Sequence, residues 1–460
     1  MNFLLAHFAK ESKVVLRLAL PVIAAQVGET LMVFIDSVMV GHYSIKDLAA
    51  IAAGIPLFMP FLVFANGVLI ALSPIAAQLY GSGKCESVGT YFQQCLYLSQ
   101  FIALPLFIIV RSLSSVLQWM NIEPDVVNLA NTYIQSVSWG FPPAFAFMTL
   151  RFFNEGVSIV KPSMYITLIG LAFNAAANYV LIYGQFGFPA MGSVGAGWAT
   201  TLAWWVMFFG MASFVVMNKD IKPFKLFQKW ELPRWEKILE LLRIGIPIGL
   251  SITLEVGMFS AITLFASFLG TDTLAGHQVA LNVTAITYMV PLGLSIATTV
   301  RVGLLGGRGN FLDARFTGFT SLALAVIIMA CLSLLLIFYP TWIAGFYTND
   351  ATVKEIAVQL LSTAAIFQIL DGLQVVAMGA LRGLKDTRIP MLLNFISYWL
   401  VGLPVGYLLG IAGPFGARGL WTGFIAGLLI AAILNNLRFF HLIKRIVHQQ
   451  SAGAARLKCY

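Results

Sequence analysis

Apolar segments of about 20 residues, separated by short polar breaks, recur from one end of the chain to the other. Each segment is long enough to cross roughly 30 Å of hydrocarbon as a helix. The pattern predicts an all-α membrane protein with twelve spans, near 14–38, 48–79, 89–112, 127–150, 163–184, 193–217, 240–268, 275–303, 316–341, 354–380, 389–411 and 417–440.

Composition and charge support a membrane location. The 460 residues are 59% hydrophobic and 10% charged, against roughly 25% charged in a typical soluble domain. With both termini placed in the cytoplasm, 24 of the 28 Lys and Arg lie on the inner side. This bias is the orientation signal of short loops. The net charge of +9 therefore predicts topology, and it does not indicate binding to nucleic acid.

The two halves of the chain resemble each other at a constant offset in residue number. "LRLALP" at 16–21 matches "LRIGIP" at 242–247. The same offset places Glu29 on Glu255 and Gly67 on Gly293. The sequence thus predicts two six-helix lobes, 1–217 and 239–460, joined by the polar linker 218–238 and related as a pseudo-twofold parallel repeat. Such a repeat is typical of transporters.

Four carboxylates lie well inside predicted spans: Glu29, Asp36, Glu255 and Asp371. A central Asp costs about 2.5–3.5 kcal/mol on insertion scales, so such residues usually face a cavity and mark an ion or substrate pathway. No Lys or Arg is predicted at comparable depth, so the acids are expected to lack permanent counter-charges. The alternative for each is a protonated group that only fixes helix packing.

Amide side chains repeat at helical spacing. Asn174 and Asn178 are four residues apart, as are Gln278 and Asn282, so each pair shares one helix face. These amides could ligate a hard cation or connect neighbouring helices by hydrogen bonds, and the pattern leaves both readings open. His277 is expected to cap or pack a helix end. Aromatic residues, Phe367 among them, would suit flat hydrophobic cations where they line a cavity.

Several stretches resemble one family, the multidrug and toxic compound extrusion (MATE) transporters, and its NorM-type branch in particular. They are "PVIAAQVGETLMVFIDSVMVG", "PIAAQLYGSGK", "KPSMYITLIGLAFNAAANYVLIYGQFG", "AGHQVALN" and "LRGLKDTRIP". The resemblance implies a V-shaped, twelve-helix antiporter in the bacterial inner membrane. It would export lipophilic cationic drugs and dyes in exchange for Na⁺ or H⁺, without a cofactor and as a monomer.

The resemblance also implies site residues. Asp36, Glu255 and Asp371 match the family's coupling acids, with Glu255 and Asp371 as candidate Na⁺ ligands, and Asn174 and Asn178 match its paired asparagines. Two positions depart from the pattern. Relatives commonly carry Gln where this chain has Glu29, and several carry Tyr at the position of Phe367, which offers no hydroxyl to a cation.

Two other functions are open to sequence tests. A flippase for lipid-linked oligosaccharides, from the same wider superfamily, should place Lys or Arg in its cavity, where acids are predicted here. An intramembrane enzyme would need a nucleophile or metal constellation, and none of the five His lies in HExxH spacing. "GSGK" at 81–84 lacks the spacing of an ATP-binding loop.

Overall fold

The computed structural model describes residues 2–117, 123–228 and 230–457. Lys229 and Lys458, both counted above as inner-side charges, lie outside these ranges. Within them the chain is helical: α1 Asn2–Tyr43, α2 Ile45–Leu69, α3 Leu72–Gly81, α4 Cys85–Leu117, α5 Pro124–Ser138, α6 Phe141–Gly156, α7 Lys161–Tyr183, α8 Gly192–Met217, α9 Trp235–Phe268, α10 Thr271–Gly307, α11 Phe311–Phe338, α12 Pro340–Gly345, α13 Ala351–Gly383, α14 Arg388–Phe395, α15 Leu403–Gly410 and α16 Gly416–Leu457.

The all-α membrane fold is confirmed. Among the described residues, eleven helical segments are long and apolar enough to cross a membrane. They correspond to eleven of the twelve predicted spans, with α2 continuing into α3 and α14 continuing into α15. The remaining predicted span, 127–150, consists of two shorter helices, α5 and α6. Its two parts are 15 and 16 residues long, so neither alone has the length of a spanning helix.

Local sequence explains that break. Pro142 and Pro143 open α6, and proline supplies no backbone N–H to a preceding helical turn. Gly140 occupies the gap, where an added Cβ would lie 3.2 Å from the Thr201 hydroxyl oxygen. Helix α5 therefore ends at Ser138 and α6 begins at Phe141, with the break packed close against α8.

The first helix is longer than predicted. The apolar pattern placed its start near residue 14, whereas α1 begins at Asn2. A polar network holds the additional turns, because the Glu11 carboxylate accepts hydrogen bonds from Arg301 Nε at 2.8 Å and Thr317 Oγ1 at 2.6 Å. Hydropathy alone could not detect this extension, since these partners are distant from Glu11 in sequence.

The chain forms two compact units. The N-terminal unit is Ala24–Gly249, and the C-terminal unit is Met1–Ile23 together with Leu250–Tyr460. The predicted division into lobes 1–217 and 239–460 stays a prediction, and its boundaries differ from those of these units.

Close glycine contacts repeat inside each unit at the predicted offset. In the N-terminal unit, a Cβ on Gly67 would overlap the backbone of Gly249. In the C-terminal unit, a Cβ on Gly293 would overlap Ile23. The repeat aligns Gly67 with Gly293 and Ile23 with Gly249, so one helix crossing is built twice from equivalent positions. Absence of a side chain is what lets the helices approach this closely.

The segment predicted as a linker is fastened to α4 within the N-terminal unit. It begins with a 3₁₀ turn, Lys219–Phe224. The Gln93 side chain donates to Leu226 O at 2.6 Å and accepts from Glu231 N at 3.0 Å. Gln94 accepts from Arg234 N at 2.6 Å. These two glutamines therefore satisfy backbone groups that an irregular segment leaves without helical partners.

Candidate functional site

A cavity opens inside the N-terminal unit. It holds about 810 Å³ of empty space, including its mouth. Its lining is mostly apolar and aromatic, with Met32, Met59 and Met148 beside Phe58 and Trp204. Two carboxylates, Glu29 and Asp36, are part of this lining, and among its described residues there is no Lys or Arg. An apolar pocket with a few polar groups is the usual form of a small-molecule site.

Asp36 is held in the cavity wall by two donors. Asn178 Nδ2 donates to Asp36 Oδ1 at 2.5 Å, and Thr200 Oγ1 donates to Oδ2 at 2.7 Å. Asn178 Nδ2 also donates to Asn174 Oδ1 at 3.2 Å, so the predicted asparagine pair joins this site. A carboxylate offers about four acceptor positions. Asp36 therefore keeps capacity for a proton or a cation after both bonds are made.

Glu29 has a counter-charge, so the expectation that it lacks one was wrong. Arg151 Nη1 lies 2.5 Å from Glu29 Oε1, and its Nε lies 2.7 Å from Glu155 Oε1. The second Nη donates to Gln26. The sequence assigned Arg151 to the inner surface because it stands near the end of a span. In the structure its side chain is only 4% exposed.

Glu255 and Asp371 come together in the C-terminal unit. Glu255, on α9, is 7% exposed, and Asp371, on α13, is 2% exposed. The two carboxyl groups lie close enough to interact electrostatically. Asp371 Oδ1 makes no hydrogen bond within the described part of the chain, although it is buried. The two candidate Na⁺ ligands are therefore neighbours in the C-terminal unit, and Asp371 keeps an open acceptor.

Two tyrosines bring hydroxyl groups to the acids of the C-terminal unit. Tyr288 hydrogen-bonds Glu255, and the buried Tyr398 is near enough to Glu255 and Asp371 to interact with both electrostatically. Tyr398 lies on a π-helical segment, Ile396–Gly402, between α14 and α15. Such segments are frequent at functional sites because they displace side chains from the regular helical register. The hydroxyl that Phe367 cannot supply is therefore available from neighbouring elements.

Phe367 itself packs an aromatic cluster. It is 2% exposed, and its ring centroid lies 6.0 Å from that of Phe259, 5.9 Å from that of Phe424 and 5.8 Å from that of Trp421. Edge-on aromatic pairs at these distances are stabilising beyond their buried area. Phe367 supports the core beside the acids and presents no polar atom to them.

The second amide pair is not part of either acid cluster. Gln278 and Asn282 share an exposed face of α10, away from its buried residues. Their neighbour His277 is buried and packs as expected. Its Nδ1 accepts from Trp421 Nε1 at 3.0 Å, so the remaining proton lies on Nε2, 3.0 Å from Thr263 Oγ1.

Apart from Asn174 and Asn178, sequence reasoning missed the partners of the acids. Thr200, Arg151, Glu155, Tyr288 and Tyr398 come from helices distant in sequence, and a hydroxyl or a charge near a span end has no signal in a hydropathy pattern. Only the spacing of Glu155 four residues after Arg151 could have indicated an ion pair on one helix face.

Comparison with known proteins identifies the family. The MatE family model matches residues 21–180 and 247–408, which is more than half of the chain. The chain belongs to the MatE family. The starts of the two matched segments, 21 and 247, are separated by the same offset as the internal repeat. The MatE domain therefore occurs twice in this chain, and the predicted resemblance to MATE transporters is confirmed.

Relatives within the MatE family are similar over nearly their whole length. Multidrug resistance protein NorM of Photobacterium profundum is 40% identical over 94% of this chain and 96% of its own. Multidrug resistance protein MdtK of Edwardsiella ictaluri is 38% identical over 93% of this chain and 95% of its own. The NorM-type assignment is thereby supported.

Solved structures support the same fold. An outward-facing multidrug resistance MATE family transporter of the MOP superfamily superposes with a TM-score of 0.89 at 21% identity, over 95% of this chain and 97% of its own. The eukaryotic MATE transporter AtDTX14 superposes with a TM-score of 0.87 at 20% identity, over 96% of this chain and 99% of its own.

Proposed function

We propose that the protein is a multidrug efflux antiporter that exports lipophilic organic cations in exchange for Na⁺ or H⁺. The observation that carries this proposal is the apolar cavity of the N-terminal unit with Asp36 in its wall. Methionine and aromatic side chains adapt to flat ligands of different shapes and attract cations over their rings. The buried carboxylate supplies the single charge that such a ligand requires.

Exchange follows from competition for buried charge. An organic cation and a small ion cannot both neutralise Asp36, so binding of one favours release of the other. Glu255 and Asp371 offer a second place for a small ion, where the open oxygen of Asp371 and the tyrosine hydroxyls are hard ligands. A ligand shifts a two-state equilibrium only through such a difference in affinity. The cavity lining favours a cation exporter over a flippase, because its charged residues are acids.

Proteoliposomes separate the two coupling ions. Purified protein is reconstituted with ethidium inside, and a Na⁺ gradient or a pH gradient is imposed alone. We expect one gradient to drive ethidium efflux and its collapse by the matching ionophore to stop it. Ethidium efflux that depends on neither gradient would exclude antiport, although drug transport itself would still be shown.

Substitution of the acids tests their role in transport. We expect Asp36→Asn and Asp371→Asn to abolish ethidium efflux at normal expression, because neither amide carries the negative charge that a proton or a cation neutralises. Asp272→Asn is the matched control, since Asp272 is an exposed acid in the first turn of α10. Full efflux from both interior variants would contradict the proposed coupling.

Location and topology belong to the same proposal. The protein would lie in the bacterial inner membrane as a monomer with both termini cytoplasmic. The asymmetry of Lys and Arg supports this orientation. Transport would then require the lipid bilayer, the organic cation and the coupling ion, with no cofactor and no chemical reaction.

A further inference from the structure

Three ionisable side chains form a cluster at the edge of the cavity of the N-terminal unit. Arg151 lies between Glu29 and Glu155, at 2.5 Å and 2.7 Å from their nearest carboxyl oxygens. Glu155 is completely buried, and the side chain of Arg151 is 4% exposed. Glu29 is the outermost member, with 24% of its side chain exposed, and it also lines the cavity.

The cluster contains one more acid than base. If both carboxyl groups were ionised, a net charge of −1 would remain in a buried site. Arg151 is shared between the two carboxyl groups, and Glu155 Oε2 makes no hydrogen bond within the described part of the chain. A buried negative charge without a counter-charge of its own is costly, and uptake of a proton by the carboxyl group removes that charge.

Among the residues that the structure describes, no other charged group of the neighbouring helices is paired with the cluster. On α1, which carries Glu29, Asp36 is bonded to Asn178 and Glu11 to Arg301, and Lys10, Lys13 and Arg17 are exposed. Helices α2, α3, α4 and α8 also pack against α6. Of these, α3 and α8 contain no Asp, Glu, Lys, Arg or His. The charged residues of α2 and α4 that the structure describes are bonded elsewhere: Lys46 to Glu123, Asp47 to Ser193, Glu86 to Lys225 and Arg111 to Ser138.

We propose that Glu29, Arg151 and Glu155 form a proton-binding site, separate from Asp36, that holds one proton on Glu155. We further propose that this proton is released when a cation in the cavity pairs with Glu29, a step that rests on the proposed function. Before binding, Glu29⁻, Arg151⁺ and protonated Glu155 sum to zero. After binding, the cation pairs with Glu29⁻ and Arg151⁺ pairs with Glu155⁻. One positive charge enters and one proton leaves.

Infrared spectroscopy of the purified protein tests the proton site without any ligand. A protonated carboxyl group has a C=O stretch apart from that of a carboxylate. We expect the wild-type protein to show such a band that is missing from Glu155→Gln. Glu29→Gln should lose the same band although Glu155 is still present, because one acid then faces one base and Glu155 ionises. Glu123→Gln, an exposed acid, is the control that keeps it.

The infrared spectra of the variants can support or overturn the assignment of a proton to Glu155. A band that persists in Glu29→Gln, or no difference between wild type and Glu155→Gln, would overturn the proton site. Glu155→Asp tests which acid carries the proton. Replacement of the protonated glutamic acid by aspartic acid should shift the frequency of the C=O band. A shift in Glu29→Asp alone would place the proton on Glu29 and overturn the assignment.

Proton release on cation binding tests the linkage. Tetraphenylphosphonium is added to protein in weak buffer at neutral pH, and released protons are measured with a pH dye. We expect wild type to release about one proton more per bound cation than Glu155→Gln. Equal release from both would overturn the linkage. Absence of tetraphenylphosphonium binding to the wild type would contradict the proposed function, while the infrared result on the proton site would stand.

Discussion

Arg151 shows how one buried side chain determines the charge state of its surroundings. It contacts Glu29, Glu155 and Gln26, and it is the base of a cluster with two acids. A buried ion pair adds little net stability over apolar residues of the same volume. Loss of one partner is destabilising, however, because it leaves the other charge buried without a counter-charge. The effect of a substitution in this cluster should therefore depend on the charges that remain rather than on the number of bonds lost.

Removal of Arg151 gives a testable order of stabilities. We expect Arg151→Met to lower the free energy of unfolding by about 3–5 kcal/mol, because it leaves two buried acids without a base. The triple variant Arg151→Met, Glu29→Gln, Glu155→Gln should recover most of this loss, since no charge remains. Thermal unfolding in detergent, followed by tryptophan fluorescence, gives the order. A triple variant as unstable as the single one would show that packing of Arg151, and not charge, is what matters.

Sequence predicts the acids of these sites and the asparagine pair beside Asp36, but not the other partners of the acids. Asp36, Glu255 and Asp371 stand out because a carboxylate in an apolar run is costly wherever the run packs. Their partners depend on which helices meet. Thr200 is 164 residues from Asp36, and Arg151 is 122 residues from Glu29. No local pattern encodes such pairs, so the hypothesis of acids without counter-charges failed at Glu29, which is paired with Arg151, and at Glu255, which interacts electrostatically with the buried Arg382.

At the scale of elements, paired glycine contacts set how closely helices cross. Gly67 contacts Gly249 on α9, and Gly293 contacts Ile23 on α1. A Cβ at Gly67 would meet backbone atoms, which cannot turn aside as a flexible side chain can. The repeat was visible in the sequence as a constant offset, but its physical reason, a close helix crossing, required the structure.

Alanine at these glycines should therefore destabilise the protein. We expect Gly67→Ala to cost about 1–3 kcal/mol or more through overpacking, with Gly293→Ala affected in the same direction. The thermal midpoint in detergent measures both. Gly210→Ala in α8 is the control, because an added Cβ there meets nothing closer than 3.5 Å. Equal midpoints for Gly67→Ala and Gly210→Ala would refute the close-packing argument.

Helix ends were less predictable than helix interiors. The twelve apolar segments were located from hydropathy, since a length of about 20 apolar residues is a strong requirement. The break between α5 and α6 depends on two adjacent prolines, which hydropathy averages away. The early start of α1 depends on Glu11 and its bonds to Arg301 and Thr317. Both differences between the predicted and observed helix ends are caused by individual residues, whose effect is lost when hydropathy is averaged over a segment.

At the scale of the whole molecule, duplication explains the organisation of the chain. Two MatE segments follow each other, and the two compact units are bounded at residues 23 and 249. The repeat aligns residue 23 with residue 249. The boundaries of the two units are therefore separated by the same offset as the repeated motifs. Because both copies are predicted to enter the membrane from the same side, the repeat requires an even number of crossings in each half. With the six predicted crossings in each half, we expect both chain ends to lie on one side of the membrane.

Cysteine labelling tests that requirement. The four native cysteines are first replaced by serine, and single cysteines are then introduced at Lys46 or Lys219, both of which are exposed. With cytoplasmic termini, Lys46→Cys should react with a membrane-impermeant maleimide in intact spheroplasts, because it follows the first crossing. Lys219→Cys follows the sixth and should react only after permeabilisation. Loss of the Lys46 surface ion pairs should cost little, since ion pairs between exposed side chains are weak and screened by salt. The reverse labelling pattern would invert the topology, and labelling of both from outside would contradict an even number of crossings in the first half.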